Sequence, residues 1–151
     1  MKLWVLRHGQ AEPQSRDDAG RALTAHGREE VLRSAAQLLG QPLDAIYASP
    51  YVRAQQTAGL VHEALGLAKA LTTVSWLKPD TDPAVVATEL AKLGQGNFLL
   101  VSHQPLVSTL LGLLIEGSRQ DGPGMHTASL AELEGDWVLK GGMTLRAIKH
   151  P

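Results

Sequence analysis

Apolar residues fall along this chain in short runs and helical stripes, divided by polar stretches rich in Gly and Pro. Residues 2–7, with the apolar run Leu3–Leu6 at their centre, predict a strand, which ends on Arg7 and is followed at once by His8 and Gly9. Residues 10–23 are polar and read as a loop. Thr24 is a candidate N-cap, and Val31, Leu32, Ala35, Ala36, Leu38 and Leu39 then recur at helical spacing until Gly40 and Pro42. A second strand is predicted over 44–48. Ser49–Pro50 next offers a capping hydroxyl and a first-turn proline for a helix striped by Ala54, Ala58, Val61 and Leu65 and stopped by Gly66. Residues 71–76 are rich in β-formers, and Asp82–Pro83 opens a third helix with Val86, Leu90 and Leu93 inward and Gly94 as its stop. Residues 97–102 predict a fourth strand, followed by a helix through about Ile115 that is apolar almost all round and therefore buried. After a Gly-rich loop at 116–126, strands near 128–134 and 137–147 are predicted to form an antiparallel hairpin about a tight Glu134–Gly135–Asp136 turn.

Strand and helix alternate four times before the hairpin. That order predicts an α/β protein with three layers, α/β/α, and one domain over 1–151. Its six-stranded sheet should be mostly parallel, with an antiparallel contribution from the C-terminal hairpin. In such sheets ligands bind beyond the carboxyl ends of the strands, near the point where strand order reverses. Arg7 and His8 end the first strand, Ser49 and Arg53 follow the second, and His103 follows the fourth, so three segments should deliver basic and polar side chains to one edge.

The chain has 151 residues, enough to bury a substantial core, and aromatics are only 4%, so Leu, Val and Ala must fill it. Formal net charge is −1, which argues against a nonspecific nucleic-acid binder. The chain has no cysteine, which excludes disulfides, thiolate catalysis and cysteine metal sites, and fits a cytoplasmic location. The opening MKLWVLRHG has too short an apolar run for a signal peptide, and no segment has the 18 or so consecutive apolar residues that suggest a membrane span. A monomer without membrane association is expected.

Arg7, Arg53, His8 and His103, with Ser49 close by and Arg21 able to fold over the rim, suit a dianion such as a phosphoryl group. Guanidinium forks match its oxygens, and helix N-termini add free N–H groups. Gly9 is expected to take positive φ and let the backbone approach the ligand. Gln104 is expected to add a backbone contact. The sequence contains no glycine-rich nucleotide loop, no HExxH and no Asp-rich cluster, so no metal and no cofactor are expected. Arginines can then supply the electrostatic stabilisation, and a histidine can attack phosphorus to give a covalent intermediate.

Four ordered blocks carry a family resemblance. VLRHGQAE (5–12) resembles the RHG signature of the histidine phosphatase superfamily, which includes phosphoglycerate mutases. LTAHG (23–27) resembles its L-T-x-x-G block, YASPYVRAQQTA (47–58) its S-P-x-x-R-A-x-Q-T block, and VSHQP (101–105) the block carrying its second histidine. The resemblance implies a phosphoglycerate mutase-like fold, His8 as the nucleophile, and Arg7, Arg53 and His103 on the phosphoryl oxygens. It also implies that one His8 ring nitrogen is held by a backbone carbonyl. Arg21 is implied to be a rim or substrate contact.

The short connection at 76–82 leaves no room for the lid that larger relatives insert. In this the chain resembles the short bacterial phosphohistidine phosphatases, which act on histidine phosphotransfer (HPt) domains of sensor kinases or on related phosphorelay proteins. One feature departs from the family: where many members place a glutamate as general acid, VSWLKPD (74–80) carries Trp76. Glu12, Asp80 and Asp82 are the alternatives. A missing acid would favour phosphohistidine, because an imidazole needs less protonation to leave than an alkoxide. A phosphatase for small phosphomonoesters and a noncatalytic phosphate-binding module are the competing readings. His26, His62 and His150 read as surface residues, His126 as a spectator, and Arg28–Glu29–Glu30 as a solvated helix face.

Overall fold

A computed structural model describes residues 1–13, 16–118 and 122–151; residues 14–15 and 119–121, within the first long loop and the Gly-rich loop, lie outside the described residues. Strands β1 (Lys2–Arg7), β2 (Ala45–Ala48), β3 (Thr72–Thr73), β4 (Phe98–Ser102), β5 (Leu130–Glu134) and β6 (Thr144–Lys149) form one sheet in the order β3-β2-β4-β1-β5-β6. β3, β2, β4 and β1 run parallel, while β5 and β6 join antiparallel. The α/β/α expectation and the mixed six-stranded sheet hold.

The period of two in β1 sorts its side chains between two cores. Leu3 and Val5 pack with Leu100 beneath α3 (Pro83–Leu93) and α4 (Leu106–Glu116). Trp4 and Leu6 pack with Leu99 and Val101 beneath α1 (Ala25–Ala36) and α2 (Val52–Leu65). The all-round apolarity of α4 is explained by its burial: Leu106, Val107, Leu110, Leu111, Leu113 and Leu114 are at most 1% exposed. Each such side chain contributes about 2 kcal/mol of burial free energy.

The neighbours β1 and β4 feed helices on opposite faces of the sheet, so their adjoining carboxyl ends form the switch-point crevice. Arg7 pairs with Ser102 in that register, and the His8 N–H donates to the Ser102 carbonyl at 3.0 Å.

Four local expectations are corrected. α1 stops at Ala36 rather than near Gly40, because the N–H groups of Gln37, Leu38 and Leu39 bond three residues back and tighten the last turn. β3 holds two residues rather than six. Val74 passes directly into a 3-10 turn at Ser75–Leu77, which buries Leu77 and gives its carbonyl to the Ser102 hydroxyl. The last two strands are not joined by a tight turn. Residues 135–143 form a longer loop, because Gly141 and Met143 donate to the carbonyls of Leu113 and Leu114 and seat Met143 in the core. Finally, Tyr51 and not Ser49 occupies the N-cap position of α2.

Candidate active site

β1 is followed at once by the buried His8, whose Nδ1 lies 2.7 Å from the carbonyl of Gly9. A carbonyl only accepts, so Nδ1 carries the proton and the neutral ring keeps its lone pair on Nε2. Arg53, in the first turn of α2, donates its Nε–H to that Nε2 at 3.3 Å. Burial, reinforced by the charges of Arg53, Arg7 and Arg21 and opposed by the Gly9 hydrogen bond, pushes His8 down to about 4.

His103 follows β4 and is 1% exposed, its ring centroid 5.1 Å from that of His8. Its Nε2 lies 2.7 Å from the Ser49 hydroxyl, which accepts in turn from the Tyr51 N–H at 3.2 Å. Ser49 is fully buried, so its own proton needs an acceptor, and His103 Nε2 supplies one. The His103 proton then sits on Nδ1, a donor without a protein partner. Burial first, then His8 and Arg53, bring His103 down to about 3. The Tyr51 ring stacks edge-on against His103 and lies beneath Arg53 at 5.1 Å.

Arg7 donates Nη1 to the Met125 carbonyl at 2.9 Å, while its buried Nε has no protein partner. Burial lowers its pKa, and Glu30 opposes the shift. Two unpartnered buried nitrogens, on Arg7 and His103, and a neutral imidazole lone pair thus share one crevice. Such groups can seat the oxygens of a tetrahedral oxyanion and direct a nucleophile at its centre. Among the described residues no three His, Cys, Asp or Glu side chains gather into a group able to hold a metal ion.

The remaining predicted residues fall differently. Ser49 was expected chiefly as a cap. Its N–H continues the sheet by donating to Val101, which turns its hydroxyl toward His103. Gly9 does not take positive φ. A Cβ on it would lie 2.6 Å from the Gly27 carbonyl and 2.8 Å from Val31 Cγ2, so glycine is required for packing on α1. Its N–H is also committed, to Thr57 Oγ1 at 3.1 Å. The Gln104 side chain turns to α4, bonding the N–H and hydroxyl of Ser108. Arg21 sits on the rim, bonded to Asp18 and the Glu12 carbonyl. Of the candidate acids, Asp82 caps α3 and Asp80 and Glu12 are exposed.

The sequence reading missed two carboxylates. Glu30, assigned to a solvated face, is buried; it accepts from the Gln10 N–H at 2.9 Å and the Thr127 hydroxyl at 3.0 Å. Asp18 bonds Arg53 through both its carbonyl and its carboxylate, at 2.6 and 3.1 Å. The pair Asp17–Asp18 just ahead of Gly20–Arg21 was the available signal, since an Asp cap on a 3-10 turn is a common loop device.

Histidines and arginines gathered at the switch point of this fold are the arrangement of the histidine phosphatases, and the chain belongs to the histidine phosphatase superfamily (branch 1), whose family model matches residues 3–76. It is 33% identical over 134 residues to the phosphohistidine phosphatase SixA of Escherichia coli K12, covering 85% of this chain and 81% of that protein. A SixA homologue from Haemophilus influenzae is 30% identical over 145 residues, covering 88% and 87%. The solved structure of the protein histidine phosphatase SixA complexed with tungstate superposes with a TM-score of 0.89 at 29% identity, covering 100% of this chain and 97% of that one. Among the described residues no helix is long and apolar enough to cross a membrane.

Proposed function

We propose that this chain, as one domain over residues 1–151, hydrolyses phosphohistidine on a partner protein, an HPt-type domain or sensor kinase, through a phosphorylated His8. The observation that carries the reading is the His8 tautomer: Nδ1 is tied to the Gly9 carbonyl, so the ring lone pair lies on Nε2, where Arg53 Nε–H meets it, and attack comes from Nε2 once that donor turns to the phosphoryl group. The relatives named as phosphohistidine phosphatases, and the tungstate oxyanion held by one of them, support it.

In the proposed step Nε2 attacks phosphorus in line, and the bond from phosphorus to the substrate imidazole nitrogen breaks. The imidazole, protonated on its other nitrogen, leaves neutral. Arg7, Arg53 and His103 Nδ1–H donate to the phosphoryl oxygens as charge redistributes. Water then attacks phospho-His8, its oxygen bonds to phosphorus as the P–Nε2 bond breaks, and phosphate departs. The short 74–82 connection, a single 3-10 turn between β3 and α3, holds no helical lid, which supports a phosphate carried on a protein surface as the substrate.

The test pairs a histidine-phosphorylated HPt domain with a panel of small phosphomonoesters, using His8→Ala as control. Rapid phosphate release from the protein, with a trapped phospho-His8 and none in His8→Ala, is the expected result. Turnover of the esters alone would overturn the substrate assignment, and normal turnover in His8→Ala would overturn the mechanism.

A further inference from the structure

Each of the three Arg53 guanidinium nitrogens already makes a hydrogen bond. Nε bonds His8 Nε2; Nη1 and Nη2 bond the carbonyl and carboxylate of Asp18. The Asp18 carboxylate also takes Nε of Arg21 at 3.0 Å. The Arg53 side chain is 4% exposed and that of Asp18 is 59% exposed. The guanidinium therefore lies between the nucleophile and a carboxylate that stands at the mouth of the crevice. Asp17 caps the Asp18–Gly20 turn that carries this residue, accepting from the Gly20 N–H at 2.8 Å.

We propose that Asp18 is a specificity-determining residue, an internal carboxylate that competes with the phosphoryl group for Arg53 and Arg21 and selects substrates by the charge of their leaving group. This rests on the phosphohistidine reading of the site. An incoming oxyanion must share the guanidiniums that Asp18 holds: Nη1 and Nη2 of Arg53 each keep a second N–H, so two anions are brought to the same cation. The carboxylate then stays at the mouth, beside the leaving group. A leaving group bearing its own carboxylate or phosphate meets a like charge there, which penalises the wrong partner. A protonated imidazole meets an opposite charge. The carboxylate thus weakens binding of phosphate anions in general, and least for the substrate whose departing group is a cationic or neutral ring.

The experiment compares the wild-type protein with Asp18→Asn, which keeps the side-chain shape and the carbonyl bond to Arg53. Two quantities are measured: the dissociation constant of inorganic phosphate by calorimetry, and kcat/KM for phosphorylimidazole and for phosphoglycolate, whose leaving group carries a carboxylate. The variant is expected to bind phosphate on the order of tenfold more tightly and to shift the phosphoglycolate-to-phosphorylimidazole ratio upward on the order of tenfold, both effects shrinking with added salt. Unchanged or weaker phosphate binding, or an unchanged ratio, overturns the proposal and makes Asp18 a simple brace for Arg53. Failure of the phosphohistidine reading looks different: wild-type protein then turns over phosphoglycolate but not phosphorylimidazole, while the phosphate-binding comparison still reports on Asp18.

Discussion

The Nε–H of Arg53 points at Nε2 of His8 across 3.3 Å, so the guanidinium and the nitrogen that carries the ring lone pair are neighbours before any substrate arrives. α2 sets this contact: Arg53 lies in its first turn, at the carboxyl end of β2, and β2 is separated from β1 by β4 alone. An ammonium on a flexible stem cannot reproduce a planar donor that serves His8 with one edge and Asp18 with another. Arg53→Lys is therefore expected to lower kcat/KM roughly 100-fold or more, the scale of losing an oriented oxyanion donor, with thermal stability nearly kept. Steady-state kinetics alongside a melting curve check it.

Gly9→Ala should damage both fold and activity. The added methyl meets the backbone carbonyl of Gly27, which cannot swing aside like a flexible side chain. A loss of about 2 kcal/mol is expected from such overpacking. Activity should fall further than stability explains, because the Gly9 carbonyl sets the His8 tautomer. Denaturant titration and kcat on the same sample separate the two losses.

Glu30→Ala removes the acceptor shared by the Gln10 N–H and the Thr127 hydroxyl, which join the loop after His8 to the segment that receives Arg7. Leaving these part-buried donors unpaired is expected to cost about 2 kcal/mol. The neighbouring exposed Glu29→Ala should cost less than about 0.5 kcal/mol. Equal costs in urea unfolding would show that the Glu30 ties contribute no more than surface contacts.

Acid should destabilise this protein well above the carboxylate range. The folded-state pKa values of His8 and His103 lie below their unfolded value of 6.5, at about 4 and about 3. Between pH 6.5 and about 4 the unfolded chain binds protons that the native state does not, so stability falls as pH falls. His8 alone accounts for roughly 3 kcal/mol across that window. Below it the depressed Asp18 pKa acts with the same sign, since a carboxylate ionised in the native state must be protonated. Unfolding free energy measured at pH 7 and pH 5 should drop in the wild type and drop less in His8→Gln. Identical drops would contradict the buried neutral imidazole.

The sequence by itself determined what is encoded over a few residues. Apolar runs placed β1, β2 and β4, and the 3.6-residue stripes placed four helices. Thr24 and Asp82 cap their helices as their side chains predict, with N–H to oxygen distances of 2.9 Å to Gly27 and Ala84. The alternation of elements implied that Arg7, His8, Arg53 and His103 would meet, because strand ends in a parallel sheet share an edge. Tertiary structure decided the rest. Whether Glu30 is solvated or buried depends on Gln10 and Thr127 arriving from 20 and 97 residues away. Whether Asp18 is a loop acid or a partner of Arg53 depends on a contact 35 residues distant. Ser49 reads locally as a cap, yet the sheet bond to Val101 turns it to His103. Gly9 reads as a conformational device, yet what requires it is the close approach of Gly27 and Val31. Side-chain periodicity and capping are local properties of a chain, whereas the partner of a charge or a crowded glycine is fixed only when distant segments pack.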